Sequence, residues 1–172
     1  MKITLFIVIS LNGYIARENG NEDFLSEDNW ALFVQEAKKV GAIIWGRTTY
    51  ERVRTWDLHY LQDLQDVVKI IVSSDKEYTV EQGFSLVTSP SEAVQKLSHM
   101  GFDHAIITGG STLNAGFAKE KLIDEIIVNV EPYILGEGIH LFKQDDFEFK
   151  LNLLSVKQMD SGILQLRYRV EK

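Results

Sequence analysis

The sequence predicts an α/β domain whose mostly parallel central sheet ends in an antiparallel hairpin. First, short apolar runs rich in β-branched residues alternate with segments of helical periodicity, which is typical of a parallel sheet covered by helices. Second, apolar residues recur at alternate positions in the last third, as in strands with one buried face. Because no Pro/Gly/Ser-rich linker or internal repeat interrupts residues 1–172, we expect a single domain.

Six short apolar runs are the predicted strands of the sheet before its hairpin. The first is too short for a signal peptide and lacks a small-residue cleavage pattern after it, so we expect a buried strand there. The six runs are Ile3–Ile9, Ala42–Trp45, Val67–Ser73, Phe84–Thr88, Ala105–Thr108 and Glu125–Glu131.

The first predicted helix follows Ser26, which can serve as its N-cap. Trp30, Phe33, Val34 and Ala37 recur at helical spacing and form one apolar stripe, which favours core packing over a cofactor site.

Two further helices are predicted, from Ser89 to near Gly101 and from Thr112 toward Lys121. Ser89-Pro90-Ser91-Glu92 combines a capping serine, a proline suited to the first helical position and a glutamate that can complete a capping box.

The alternating apolar residues of the C-terminal region predict two strands. They lie in Phe147–Leu153 and Leu164–Val170, and Asp160-Ser161-Gly162 can form the turn between them.

Composition excludes several classes of function. The chain has 18 basic and 25 acidic residues and a formal net charge of −7, so we expect no general attraction to nucleic acid or to anionic membranes. No apolar segment approaches the roughly 20 residues of a membrane-spanning helix. The absence of cysteine excludes disulfides and thiolate chemistry and is compatible with a cytoplasmic location.

Motif searches give no metal site and no hydrolase. The four histidines are dispersed and form no HExxH pair, so we expect no metal. A GxSxG nucleophile elbow, a Walker A sequence and a complete GxGxxG fingerprint are absent as well.

Three loops that directly follow predicted strands have the composition of anion-binding sites. Gly109-Gly110 precedes a predicted helix, where small residues and free backbone N–H groups favour phosphate, although paired glycines also form simple tight turns. Gly46-Arg47-Thr48-Thr49 and Ser73-Ser74-Asp75-Lys76 add hydroxyls and cationic groups. At the carboxyl ends of parallel strands, the three loops would meet at one edge of the sheet, where ligands of open α/β sheets bind.

In this order, the motifs resemble those of the dihydrofolate reductase-like superfamily. The similarity is greatest to stand-alone relatives of the reductase domain of bacterial riboflavin biosynthesis, and it covers nearly the whole chain. It rests on Ile9–Ala16, Gly46–Tyr50, Ser73-Ser74, Gly109–Thr112, Leu122–Glu125 and Pro132–Gly138. The resemblance implies a three-layer α-β-α fold and a homodimer.

The resemblance also implies NADPH as hydride donor and indicates where it would bind. The carried-over positions are Gly46, Arg47, Thr48 and Thr49 beside the phosphates, Ser73 and Ser74 near the adenosine phosphate, Gly109, Gly110, Ser111, Thr112 and Leu113 at the pyrophosphate, and Ala16 near the nicotinamide. In dihydrofolate reductases, a carboxylate at the start of the first helix assists protonation of the substrate. Asp28 matches that position approximately, with Glu27 and Asp23 as alternatives; acidic residues in a first helical turn also serve the helix dipole alone.

The substrate stays open at this point. The riboflavin-pathway substrate, 5-amino-6-(5-phosphoribosylamino)uracil, requires basic groups for its phosphate, and Arg17, Arg52 and Arg54 are candidates. Alternatively, Arg52 and Arg54 only solvate a helix after Tyr50. A pterin would instead stack between apolar and aromatic walls formed by residues such as Phe24, Trp30 and Phe33, unless these are core residues.

Other possibilities also remain open. A nucleotide-binding protein without turnover, or an interaction module without ligand, fits the same residues. The loop Asp57–Asp66 either covers the cleft or is an ordinary surface connection.

Overall fold

A computed structural model describes residues 1–159 and 161–172, and these form ten strands and five helices. The strands are β1 (Lys2–Ser10), β2 (Tyr14–Ala16), β3 (Ala42–Gly46), β4 (Val68–Val72), β5 (Phe84–Val87), β6 (His104–Ile107), β7 (Glu125–Glu131), β8 (Ile139–His140), β9 (Leu151–Gln158) and β10 (Leu164–Val170). The helices are α1 (Glu27–Val40), α2 (Arg47–Val53), α3 (Leu58–Asp63), α4 (Pro90–His99) and α5 (Ser111–Lys119).

The central sheet has eight strands in the order β5-β4-β3-β6-β1-β7-β10-β9. Neighbouring strands from β5 to β7 are parallel, whereas β10 pairs antiparallel with both β7 and β9. The fold class is therefore confirmed, including the antiparallel hairpin at the C-terminal edge. Strands β2 and β8 form a separate antiparallel pair beside the sheet.

Successive residues of a strand point to opposite sides, so the sheet has two apolar faces. Helices cover both of them. On one face, Leu5 and Ile107 belong to a buried cluster that includes Phe117 of α5. On the other face, Phe6 and Phe33 belong to a second cluster that includes residues of α1 and α2. The result is a three-layer α-β-α arrangement.

The predicted helix starts are close to the observed ones, but their caps differ in detail. Ser89 accepts the backbone N–H of Glu92 at 3.2 Å, as predicted. The Glu92 carboxylate does not return to Ser89; it accepts the N–H and hydroxyl of Thr88 at 2.7 and 2.8 Å, and these hydrogen bonds hold the pKa of Glu92 below its usual value. Ser26 is the N-cap residue of α1, but its hydroxyl accepts from the side chain of Asn29 at 3.2 Å and caps no backbone group.

The C-terminal hairpin departs from the prediction in one respect. Strand β9 begins at Leu151, whereas Phe147 and Phe149 precede it and stack on one another with centroids 5.9 Å apart. The expectation that both strands bury one face is wrong for β9, in which no residue is buried. As an edge strand it has a neighbour on one side alone. The predicted turn at Asp160 lies outside the described residues.

A helix was expected after Tyr50, and α2 begins earlier, at Arg47. Helix α3 and strands β2 and β8 were not predicted; they have between two and six residues, too few to show a clear periodicity. No helix in the described part of the chain is both long enough and apolar enough to cross a membrane.

Candidate active site

The three predicted loops lie side by side at one edge of the sheet. They follow β4, β3 and β6, which are consecutive parallel neighbours, so their carboxyl ends meet. The backbone N–H of Gly46 donates to the carbonyl of Gly109 at 3.0 Å and joins two of the loops directly. The predicted convergence of the loops is therefore confirmed.

The glycine pair makes a turn that brings three segments of backbone close together. Gly109 has a φ of +91°, which favours glycine, and the Gly109–Gly110 peptide bond is cis. A Cβ on Gly46 would lie 3.5 Å from the Cβ of Leu113, and one on Gly110 would lie 3.6 Å from the Thr49 hydroxyl oxygen. The absence of side chains at these positions allows the segments that carry Gly46, Gly110 and Thr49 to pack closely.

The N-terminus of α5 begins at this turn. Gly110 is its N-cap residue and supplies no side-chain cap. Its carbonyl accepts the N–H of Asn114 at 3.0 Å, so the N–H groups of Ser111, Thr112 and Leu113 precede the first intrahelical bond. N–H groups that precede the first intrahelical bond at a helix N-terminus fit an anion such as a pyrophosphate.

An ion pair that the sequence did not predict joins the loop of Arg47 to the loop of Ser73–Lys76. Arg47 lies 3.2 Å from the Asp75 carboxylate and 3.7 Å from that of Glu51. Ser73 is buried and its hydroxyl accepts the N–H of Asp75 at 3.2 Å, whereas Ser74 is exposed. Asp75 therefore orients Arg47 toward the loop that was assigned to the adenosine phosphate.

A cavity of about 250 Å³ opens onto the glycine turn. Thr49, Thr108, Gly109 and Gly110 form one end, and residues of β1, α1, α2 and α3 form its walls. Six aromatic residues contribute to the walls, namely Phe6, Trp30, Phe33, Trp45, Trp56 and Tyr60. This shape and lining suit a flat ring that stacks against aromatic side chains.

Two carboxyl groups line the same cavity. Burial raises the pKa of Glu22 from 4.5 to about 7, although the positive charge of Arg52 acts in the opposite direction. Glu27 accepts the hydroxyl of Tyr60 at 3.0 Å. Asp28 is exposed and is not among the cavity-lining residues, so its catalytic role stays a prediction.

A buried polar network fixes the start of α1 beside the cavity. Glu131 accepts the backbone N–H of Ser26 at 2.8 Å and the side-chain amide of Asn29 at 2.5 Å. Asn129 donates to Asn29 at 2.7 Å and accepts from Gln165 at 3.0 Å. Since these groups lie on α1, β7 and β10, the network links the cavity wall to the C-terminal half of the sheet.

The chain matches a known family over nearly its full length. The family described as RibD C-terminal domain matches residues 1–165. The chain belongs to this family. It is also 33% identical to the protein YwjB of Bacillus subtilis, across 97% of both chains.

Solved structures agree with this assignment. A candidate riboflavin biosynthesis protein from Shewanella sp. PV-4 is 26% identical, covers the whole of both chains and has a TM-score of 0.83. RibD of Acinetobacter baumannii is 21% identical and has a TM-score of 0.80. The match covers 99% of this chain and 58% of the RibD chain, and it supports the fold.

In this RibD C-terminal domain, Ala16 is the remaining position that the resemblance assigned to the cofactor. Ala16 is buried at the end of β2, and its neighbour Ile15 lines the cavity. Asn12 holds this segment in place, because its side chain donates to the carbonyl of Leu135 at 2.6 Å and accepts the N–H of Leu135 at 3.1 Å.

The sequence identified some cavity residues and missed others. Trp30 and Phe33 serve both of the roles considered for them, since they line the cavity and pack in the core. Phe24 is buried beside Tyr133 and does not line the cavity. Trp56 and Tyr60, at the start of the unassigned loop region, contact the Trp30 ring with centroids 6.3 and 4.8 Å away. The aromatic residues in and next to the loop Asp57–Asp66 were the sequence signal that could have predicted this part of the cavity wall.

Within residues 1–159 and 161–172, no group of three or more histidine or acidic side chains is arranged to hold a metal ion.

Proposed function

We propose that this chain is an NADPH-dependent reductase that transfers hydride to a pyrimidine- or pterin-type substrate. Family membership supports an oxidoreductase, and the RibD reductase family gives 5-amino-6-(5-phosphoribosylamino)uracil reductase as the most similar activity. The observation that carries the proposal is the aromatic cavity that opens directly onto the glycine turn. One site would thereby bring a dinucleotide and a flat substrate into contact, as hydride transfer requires.

The residues of the turn fit the pyrophosphate of the cofactor. The N–H groups of Ser111, Thr112 and Leu113 can donate to its oxygens, and Gly109 and Gly110 allow its close approach. Arg47, with Ser73 and Ser74, would contact the additional phosphate on the adenosine and so favour the phosphorylated cofactor.

The cavity residues would hold and orient the substrate ring. When bound, the reduced cofactor supplies a hydride, that is, a proton with two electrons, and the substrate gains one further proton to complete the reduction. Glu22 and Glu27 are the carboxyl groups nearest to the ring position because both line the cavity. The aromatic walls exclude water from the reacting atoms.

The proposal is tested by titrating the protein with oxidised and reduced forms of both nicotinamide dinucleotides. All three tryptophans of the chain line the cavity, so their fluorescence reports a bound nicotinamide directly. We expect the phosphorylated pair to bind at least about tenfold more tightly, about 1.4 kcal/mol. No binding of any form would contradict the proposal, and binding without hydride transfer to any pyrimidine or pterin would indicate a nucleotide-binding protein instead.

A substitution at the turn gives an independent test. Gly110→Val should weaken cofactor binding at least about tenfold, because the new side chain occupies backbone space that the pyrophosphate needs. The fold should tolerate it, since the φ of Gly110 is −76° and its Cβ would make an ordinary contact. Gly136→Val is the matched control, because a Cβ there meets nothing within 4 Å. Unchanged affinity of the Gly110 variant would contradict the assigned loop.

We also propose that the protein forms a homodimer through the C-terminal hairpin. Leu153 and Val156 of β9 are each 55% exposed, and Leu164 of β10 is 40% exposed. The register pairs Leu153 with Tyr168, and it pairs Val156 with Leu166, which packs against the buried core cluster. An apolar edge strand of this kind is a template for association with a second copy.

A further inference from the structure

The proposed site of the adenosine phosphate carries acidic as well as basic side chains. Arg47 and Lys76 are its cationic groups. Three carboxylates lie on the same two segments of chain, Glu51 on α2 and Asp75 and Glu77 after β4. A phosphate monoester carries close to two negative charges at neutral pH, so the cations attract it and the carboxylates repel it.

Arg47, the cation assigned to this phosphate, already has anionic and aromatic partners. Its Nη1 atom lies 3.2 Å from Oδ2 of Asp75, and its Nε atom lies 3.7 Å from Oε1 of Glu51. The guanidinium carbon also lies 5.3 Å from the centre of the Tyr78 ring. A phosphate that binds the guanidinium through two N–H groups therefore competes with Asp75 for it.

The two carboxylates that face Arg47 are not equivalent. Asp75 accepts a hydrogen bond from the Arg47 Nη1 atom, whereas Glu51 lies one helical turn along α2 at the longer distance. Asp75 also directly follows Ser73 and Ser74, the two residues assigned to the adenosine phosphate. Asp75 is therefore the carboxylate that both binds Arg47 and belongs to the proposed phosphate loop.

The local structure of this loop does not require the charge of Asp75. The Ser73 hydroxyl accepts the backbone N–H of Asp75 at 3.2 Å, and Oδ1 of Asp75 accepts the backbone N–H of Glu77 at 3.1 Å. The amide oxygen of an asparagine can accept the second hydrogen bond in the same way. The side chains of Arg47 and Asp75 are 43% and 47% exposed, and exposed ion pairs contribute little to stability.

We propose that Asp75 determines how strongly the site distinguishes the phosphorylated from the unphosphorylated cofactor, because it occupies Arg47 and repels the adenosine phosphate. This inference rests on the proposed reductase function and deepens it. The unphosphorylated dinucleotide brings no phosphate to this loop, so Asp75 has little effect on its affinity. The native preference for the phosphorylated cofactor is thus smaller than Arg47 and the two serines could support.

The experiment compares the native chain with Asp75→Asn. Each protein is titrated with NADP⁺ and NAD⁺ by tryptophan fluorescence, and with adenosine 2′,5′-bisphosphate, which lacks the nicotinamide, by calorimetry. We expect the variant to bind NADP⁺ and the bisphosphate at least about tenfold more tightly, and NAD⁺ with a change of less than about threefold. A purely structural role of Asp75 would change the affinities for NADP⁺ and NAD⁺ by the same factor.

Two further variants serve as controls. Asp145→Asn removes the same charge from another exposed ion pair, because Asp145 lies 2.9 Å from Lys119 at the end of α5 remote from the glycine turn. We expect it to change each affinity by less than about threefold. Asp75→Glu retains the charge and should keep the native ratio of the NADP⁺ and NAD⁺ affinities within about threefold.

The outcomes distinguish a failure of this inference from a failure of the reductase proposal. If the native chain binds NADP⁺ and Asp75→Asn leaves the ratio of the two affinities unchanged, the inference is wrong and the reductase function stands. An equal gain in the Asp145 variant would also overturn the inference, because the overall charge would then explain it. Absence of binding of all three ligands to every protein would contradict both proposals. The expected shift without hydride transfer to any pyrimidine or pterin would support the role of Asp75 and contradict the reductase function.

Discussion

The Glu22 carboxyl has a consequence for stability that is independent of catalysis. Its pKa is raised to about 7 in the folded protein from an ordinary value of 4.5, so the folded state binds this proton more tightly than the unfolded chain does. The free energy of unfolding should therefore fall as the pH rises from about 4.5 through about 7. The loss approaches a limit of about 3 kcal/mol if the full shift is expressed.

Glu22→Gln should remove this pH dependence. The free energy of unfolding of the variant minus that of the native chain should increase from pH 5 to pH 8 by up to about 3 kcal/mol. Urea denaturation at the two pH values measures the difference, with the exposed Glu18→Gln as control. The same pH dependence in the native chain and the Glu22 variant would exclude Glu22 as its source.

A second effect at the residue scale concerns the buried network at the start of α1. Asn29→Ala would leave Glu131 with one donor fewer and the amide of Asn129 without its acceptor. We expect a loss of about 2–4 kcal/mol, because buried polar groups without partners are costly. The exposed Asn152→Ala should change the free energy of unfolding by less than about 0.5 kcal/mol. Comparable losses in the two variants would show that the network contributes little.

At the scale of the element, helix α4 illustrates a start signal that the sequence predicted correctly. Ser89 caps the helix through the N–H of Glu92. Ser89→Ala should therefore reduce stability by about 1 kcal/mol, measured as a shift of the urea midpoint at constant slope. Ser98→Ala, at an exposed position in the same helix, should have a smaller effect. A larger loss in the Ser98 variant would contradict the capping role.

Sequence reasoning at this scale was accurate where one periodicity extended over several turns. It placed α1 because its apolar positions repeat at helical spacing, and it placed the parallel strands because they are short, continuous apolar runs. It missed α3 and the start of α2 because six or seven residues show too few repeats to define a helix. It also assigned a buried face to β9, since alternation indicates a strand but does not reveal whether anything covers it.

At the scale of the whole molecule, the exposed hairpin gives a test of the proposed dimer. The native chain should sediment at twice 19.6 kDa. Leu153→Lys should shift it toward the monomer, because a charge would be buried at the interface. Leu58→Lys, which changes an equally apolar residue that is 76% exposed on α3, should leave the mass unchanged. A native monomer, or a dimer that persists in the Leu153 variant, would contradict this interface.

The sequence alone determined the α/β class, most element positions and the convergence of three loops at one sheet edge, because periodicity and strand-end glycines are local properties. The resemblance named the family that the comparisons confirm. The tertiary structure alone decided which carboxyl groups enter the cavity and which charges pair. Glu22 enters it and Asp28 does not, while Arg47 pairs with Asp75. Such outcomes depend on how a loop and a helix turn pack on the sheet, and residue spacing along the chain does not specify that packing.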